Sequence, residues 1–325
     1  MHLKNVTGEE TNEQMKEQER AKTVVQTLDL NFMGMPGTIA SYLVPHAHGV
    51  VLVESGPGST KQGLISGLQE HGLGINDVTD VLLTHIHLDH AGAAGWLAHQ
   101  GARIYVHPVG APHMLDPEKL LSSAARIYGE MMDTLWGEFL PVPEDKLYVP
   151  QDGEVIEIEG LRFRTLDTPG HANHHYAYIF EGLCFSGDIG GVRLTGPRSL
   201  RLPMPPPELN LEKWRHSLKR LQQEYEQGSF TRIAPTHFGI YTDAGWHLGA
   251  LQRALDSVED WMEAVMPANP SIEELTDQFM AWTREQSKRQ SLGEEQIQTY
   301  ETANPSWMSP YGIQRYWRKY RSQKT

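Results

Sequence analysis

Between Thr84 and Gly92 the chain reads Thr-His-Ile-His-Leu-Asp-His-Ala-Gly, so His85, His87, Asp89 and His90 place four metal-binding side chains within six positions. Imidazole nitrogens and carboxylate oxygens suit zinc, iron or manganese. One histidine near a strand end is ordinarily a hydrogen-bonded core or surface group, but four ligand-type side chains in His-x-His-x-Asp-His order call for a cation. The apolar run Val81, Leu82 and Leu83 just before them reads as a β-strand that delivers the cluster at its carboxyl end. A helix of small residues then begins near Ala91, so the ligands sit on a tight turn where they can converge without bending the strand.

This pattern after an apolar strand resembles the signature of the metallo-β-lactamase-fold hydrolases, over about residues 23–265. The resemblance implies three further ligands, and candidates occur in order: His171 in Thr-Pro-Gly-His, Asp188 in Phe-Ser-Gly-Asp and His237 in Pro-Thr-His-Phe-Gly. Similarity to the dinuclear members assigns His85, His87 and His171 to a first metal, Asp89, His90 and His237 to a second, and Asp188 as the bridge. The implied chemistry is a metal-bridging hydroxide that attacks a carbonyl, with Asp89 orienting it as well as ligating. True β-lactamases of this superfamily carry cysteine at the bridging position. Asp188 together with His90 therefore looks more like the glyoxalase II, lactonase and thioesterase branch. Glu54 stands where the family usually has aspartate, and is read as an acidic exchange without consequence.

Regular structure must position these residues. Residues 23–32, 39–44 and 50–54 alternate or are β-branched, as strands do. Ser59 or Thr60 is placed to cap a helix running to about His71. A helix from Ala91 to about Gln100 and a strand over 103–106 continue an α/β alternation. His107 follows that strand and reads as structural. Residues 117–139, rich in Met, Leu, Tyr and Trp, read as helical elements roofing the site. Two hairpins follow, 155–166 about Gly160 and 176–186, the second carrying a buried Cys184. The loop 190–207, with its prolines and arginines, borders the cleft. An amphipathic helix over 211–226 and a strand over 230–234 lead to His237.

Composition limits the alternatives. The chain has 325 residues, enough for a large core, and a formal charge of -13, which argues against a nucleic-acid groove built from clustered Lys and Arg. A single cysteine excludes an internal disulfide, and sixteen histidines favour metal chemistry over thiol chemistry. The first 22 residues read as a polar leader without a signal peptide's apolar core, and no segment offers eighteen uninterrupted apolar residues. A cytoplasmic protein with no membrane or nucleic-acid partner is expected.

The expected architecture is α/β, an αββα sandwich over 23–266, with a break at Pro267-Ala-Asn-Pro270 and an α-helical C-terminal extension over 267–325. That extension carries more aromatic rings than its short helices can bury alone, so it should cover the sandwich near the substrate pocket or form a homodimer contact. The expected function is hydrolysis of a small ester, lactone or thioester by two divalent ions, zinc first and iron or manganese as alternatives, on a small-molecule acyl substrate. His174 and Tyr241 are candidate hydrogen-bond donors to that substrate, with His175, Tyr128 and Arg193 nearby. The rival readings are a phosphodiesterase or nuclease of the same fold and a mononuclear iron persulfide dioxygenase.

Overall fold

The computed structural model describes residues 24–322; the polar leader expected over residues 1–22 lies outside them. Eleven strands among the described residues form two mixed sheets. The first runs in spatial order β1 (Gln26–Asp29), β2 (Ala40–His46), β3 (Gly49–Val53), β4 (Val78–Leu82), β5 (Arg103–Tyr105) and β6 (Leu147–Tyr148). The second has the order β11 (Phe230–Ala234), β10 (Gly182–Phe185), β9 (Tyr176–Phe180), β8 (Leu161–Asp167) and β7 (Val155–Ile158). β3 to β6 pair in parallel and β7 to β10 antiparallel, with β11 parallel to β10.

Burial explains which strands are central. Every residue of Tyr-Ala-Tyr-Ile-Phe in β9 is buried, as a strand covered on both faces requires, whereas β7 alternates exposed and buried at the sheet edge. Tyr42, Val44, Val51 and Val53 of the first sheet meet Phe163, Tyr178, Phe180 and Phe185 of the second in the layer between them. Helix Lys61–Glu70 and the short helices after β4 cover the outer face of the first sheet. Helices Leu211–Glu226 and Ala244–Val265 cover the second. The αββα sandwich is thereby complete.

Local deviations have local reasons. The helix expected over 91–100 is two pieces, Leu88–Ala91 and Ala94–His99, because the Ala93 amide donates to the Gly56 carbonyl at 2.9 Å and not to the carbonyl four residues back. The Thr60 hydroxyl donates to the Pro57 carbonyl and caps nothing. The roof segment divides into Glu118–Tyr128 and Met132–Trp136.

Beyond Pro270, helices Ile272–Arg289, Glu294–Ala303 and Ser309–Tyr320 follow. The first opens on a capping box, Ser271 with Glu274. Leu275, Phe279, Ile313 and Tyr316 share one buried cluster with Leu248, Leu251 and Leu255 of helix Ala244–Val265. Ile297 and Tyr300 pack on Val192 and Leu194 of the loop after β10. Three rings of the tail, Phe279, Tyr300 and Tyr316, are thus buried with the help of the sandwich's outer helix and its cleft loop, while Tyr311 stays exposed.

Candidate metal centre

All ligand-type side chains anticipated from sequence arrive at one edge of the sandwich. β4 ends at Leu82, and the following turn carries His85, His87, Asp89 and His90; the loop between β8 and β9 brings His171, the turn after β10 brings Asp188, and the end of β11 brings His237. Two glycines make the approach feasible. Gly187 has φ +50° and a Cβ there would lie 2.5 Å from Thr84 Oγ1 and 2.6 Å from His175 Nε2. Gly170, at φ +148°, lies against the Trp214 backbone, where a Cβ would be 2.4 Å from Cα. Those constraints account for glycine immediately before both Asp188 and His171.

One set of atoms, from His85, His87 and His171, and another, from Asp89, His90 and His237, each lie within 4.8 Å of one another. His87 Nδ1 is 2.9 Å from His85 Nε2 and 2.9 Å from His171 Nε2. Asp188 stands between the sets: Oδ1 is 3.3 Å from His90 Nε2 and 3.6 Å from His237 Nε2, while Oδ2 is 3.4 Å from His171 Nε2. Asp89 Oδ2 is 3.4 Å from His237 Nε2. His90 Nε2 and Asp188 Oδ1 are buried without a hydrogen-bond partner. Converging nitrogens and orphaned buried polar atoms fit a bound cation.

The outer ring nitrogens are held in place. His171 Nδ1 donates to the Pro203 carbonyl at 2.8 Å, and His237 Nδ1 donates to the Thr38 carbonyl at 2.9 Å. These bonds leave each Nε2 free to face the cluster, the arrangement that orients metal-binding histidines. Burial, reinforced by neighbouring imidazoles, pushes His85 and His87 well below the ordinary imidazole range. Burial lowers His171 too, although Asp188 opposes it. Neutral imidazole is the ligating form. Burial also pulls on His90, but the Asp188, Asp89 and Glu54 carboxylates outweigh it and raise its pKa.

The contacts of Glu54 give it a part in the site that the reading as a harmless acidic exchange left out. It is fully buried, and its Oε1 accepts from His90 Nδ1 at 3.0 Å, from Thr236 Oγ1 at 2.9 Å and from the Thr84 hydroxyl. Its Oε2 accepts from the Thr84 amide at 3.2 Å. One carboxylate thus ties the end of β3 to the motif turn and to the loop bearing His237. Its backbone is left-handed, φ 71°, a strained state for glutamate.

The remaining candidates divide. His174 lines the cavity above the cluster; its Nδ1 accepts from the Ile86 amide at 3.4 Å and its Nε2 lies 3.5 Å from Glu208. Burial lowers its pKa to about 4 against the pull of Glu208. His175 is a buttress, with Nδ1 2.8 Å from Thr168 Oγ1 and Nε2 accepting from the Ile189 amide at 3.3 Å. Tyr128 lines the cavity and donates to Met308 Sδ. Tyr241 is a correction: its hydroxyl is spent on the Arg193 carbonyl, and it does not border the cavity. Arg193 is no substrate donor either, since its guanidinium is clamped between the Tyr241 and Trp246 rings and bonds both oxygens of Asp243. Sequence reading passed over Glu208, which has no motif around it.

The cavity, about 540 Å³, opens over His87, Asp89, His171 and Asp188. Phe32, Leu120, Ile127, Trp136 and Trp307 make its walls mainly apolar, and Lys119 is the single Lys or Arg among its lining residues. The roof helices supply one wall and residues 303–308 of the tail another.

Comparison with known proteins agrees with this fold. A hydroxyacylglutathione hydrolase of Haemophilus influenzae is 32% identical over 145 residues, 43% of this chain and 62% of that protein. An atrochrysone carboxyl ACP thioesterase of Aspergillus fumigatus is 29% identical over 177 residues, 53% of this chain and 43% of the relative. A metallo-beta-lactamase fold-containing protein of Sulfurisphaera tokodaii is 28% identical over 144 residues, 43% of this chain and 54% of that protein. The chain thus spans about half the length of the curated relatives it matches. Among solved structures, a metallo-beta-lactamase family protein from Thermus thermophilus superposes with a TM-score of 0.57 at 23% identity, covering 91% of this chain and 93% of that one. An archaeal superfamily protein from Sulfolobus tokodaii gives 0.58 at 22%, covering 72% and 86%. Residues 34–224, more than half the chain and including the turn 85–90, His171 and Asp188, match the family model itself. By that match and by its fold, the chain belongs to the metallo-beta-lactamase superfamily.

Proposed function

We propose that this protein is a hydrolase holding two divalent cations, zinc first, and cleaving an ester, thioester or lactone with an apolar acyl group. The observation that carries the reading is Asp188, whose two oxygens address the two ligand sets separately beneath an apolar cavity. Relatives named as a thioesterase and as hydroxyacylglutathione hydrolases support acyl chemistry. Bound there, two divalent cations supply electrophilic pull on an acyl carbonyl and lower the pKa of water toward neutrality.

The chain's own residues do the rest. Asp89 keeps about a fifth of its side chain exposed, 21%, at the cavity floor, where it can orient the attacking water. His174, with its Nδ1 engaged by Ile86, has its Nε2–H free to turn from Glu208 toward the substrate. The apolar walls hold the acyl body and keep bulk water from the reacting carbonyl. A single lysine in the wall gives a phosphodiester backbone little to bind.

Metal analysis of protein purified without added metal, followed by a panel of esters, thioesters, lactones, phosphodiesters and β-lactams, tests the reading. Two ions per chain are expected, with kcat/KM rising about fourfold per methylene along a short acyl series, the value of one buried CH₂. A single ion per chain, or a phosphodiester turned over best by a wide margin, would sink it.

A further inference from the structure

A second cavity, of about 420 Å³, lies beside the first but takes no part in the ligand cluster. The segment between them presents alternate residues to each: Leu202 and Met204 line the second cavity, and Pro203 and Pro205 the first. Helices Ala244–Val265 and Ile272–Arg289 form its other walls, contributing Trp246, Val258, Phe279 and Trp282.

Its polar character is one-sided. Arg198, Arg201 and Arg253 line it, and no Asp or Glu does, in a protein of formal charge -13. Arg201 is only 8% exposed, with Nη1 donating to Glu301 at 2.7 Å, Nη2 to Ser287 Oγ at 3.0 Å, and its guanidinium on the Tyr300 ring. Its Nε and the Thr283 hydroxyl in the same wall are buried with no partner, so hydrogen-bonding capacity is left over there. Arg198 keeps 60% of its side chain in solvent while pairing with Asp243, and Arg253 is exposed with no ion pair among the described residues. Guanidinium groups at the mouth favour a carboxylate, which they can grip with two parallel bonds, and the tryptophan and phenylalanine rings favour a flat or aliphatic body behind it.

We propose that this second cavity is a binding site for an organic carboxylate with an apolar body, separate from the cavity over the ligand cluster. A cation is disfavoured because nothing acidic lines the space, and inorganic anions leave the aromatic wall unused.

The test is calorimetric titration of the full, metal-loaded chain with 1-naphthoate and, in parallel, with the uncharged 1-naphthamide. Naphthoate should bind, the amide at least about tenfold more weakly, and the double variant Arg198→Gln/Arg253→Gln should weaken naphthoate about tenfold, the usual loss for a charge-assisted bond. Both substitutions are at the cavity mouth and should leave the melting temperature near that of the parent. Ala124→Phe, which narrows the first cavity, should change naphthoate affinity less than twofold; Ile127→Trp serves if that variant melts early. No binding of naphthoate, equal binding of the amide, or binding lost in the first-cavity variant and kept in the arginine variant would each overturn the proposal.

Discussion

Glu54 accepts a hydrogen bond from His90 Nδ1 at 3.0 Å, with both side chains fully buried at the point where β3 meets the ligand turn. Replacing it with alanine strips acceptors from His90, Thr84 and Thr236 at once, at about 1–3 kcal/mol for each buried group left unpaired. Glu54→Ala should therefore unfold at markedly lower temperature and hold metal roughly 10- to 100-fold more weakly, the usual loss when a partner of a ligating histidine is removed. Metal competition with a chromogenic chelator, beside calorimetric melting, measures both. Parent-like metal affinity would show that His90 does not depend on this carboxylate.

Asp188→Ala removes a side chain whose two oxygens address both ligand sets. Metal content should drop at both sites together and hydrolysis should vanish, while Asp89→Ala should spare the His85, His87 and His171 set. Elemental analysis of the two purified variants distinguishes these outcomes, and full occupancy in the Asp188 variant would remove its bridging assignment.

Tyr241→Phe deletes the bond from the Tyr241 hydroxyl to the Arg193 carbonyl and leaves the ring against the guanidinium. Stability should fall by about 1 kcal/mol, the ordinary net value of such a bond, while kcat/KM changes less than twofold. A hundredfold loss of kcat in a variant of parent-like stability would return Tyr241 to the reaction.

His247 makes the fold acid-sensitive in a defined window. It is buried, 2.7 Å from the Gly190 carbonyl through Nε2 and accepting from Arg193 through Nδ1, and burial lowers its pKa from 6.5 to about 4. Because the unfolded chain binds the proton first, stability is fully present above pH 6.5 and declines as the pH falls toward 4, by up to about 3 kcal/mol. Urea unfolding of the parent and of His247→Gln from pH 4.5 to 7.5 should show a shallower slope for the variant below pH 6.5. Parallel slopes would place the proton uptake elsewhere.

Sequence reading reached His85, His87, Asp89 and His90 as one motif local to the chain, whereas His171, Asp188 and His237 were reached through the resemblance to the metallo-β-lactamase-fold hydrolases. Elements of the sandwich were legible locally as well, in alternating runs such as 155–158 and in the helix pattern of 211–226. The role of Glu54 was not legible, since it depends on Thr236, 182 residues away. Tyr241 misled because a hydroxyl near a rim has many partners open to it, and only the folded backbone of Arg193 decides which one it takes. Residues 303–308 could not be placed at the cavity from pattern alone, because helix packing directions are set by the tertiary surface they meet.

The cavity's walls and its floor come from different parts of the chain. The floor stands on strand ends that share the buried centre of the sandwich, whereas much of the wall belongs to the segment 118–136 and to the turn 303–308 beside the last helix. Changes in those two segments need not disturb any strand. In the proposed hydrolase, substitution, insertion or exchange in those wall segments would therefore alter what the cavity admits while leaving the ligand-bearing strand ends in place.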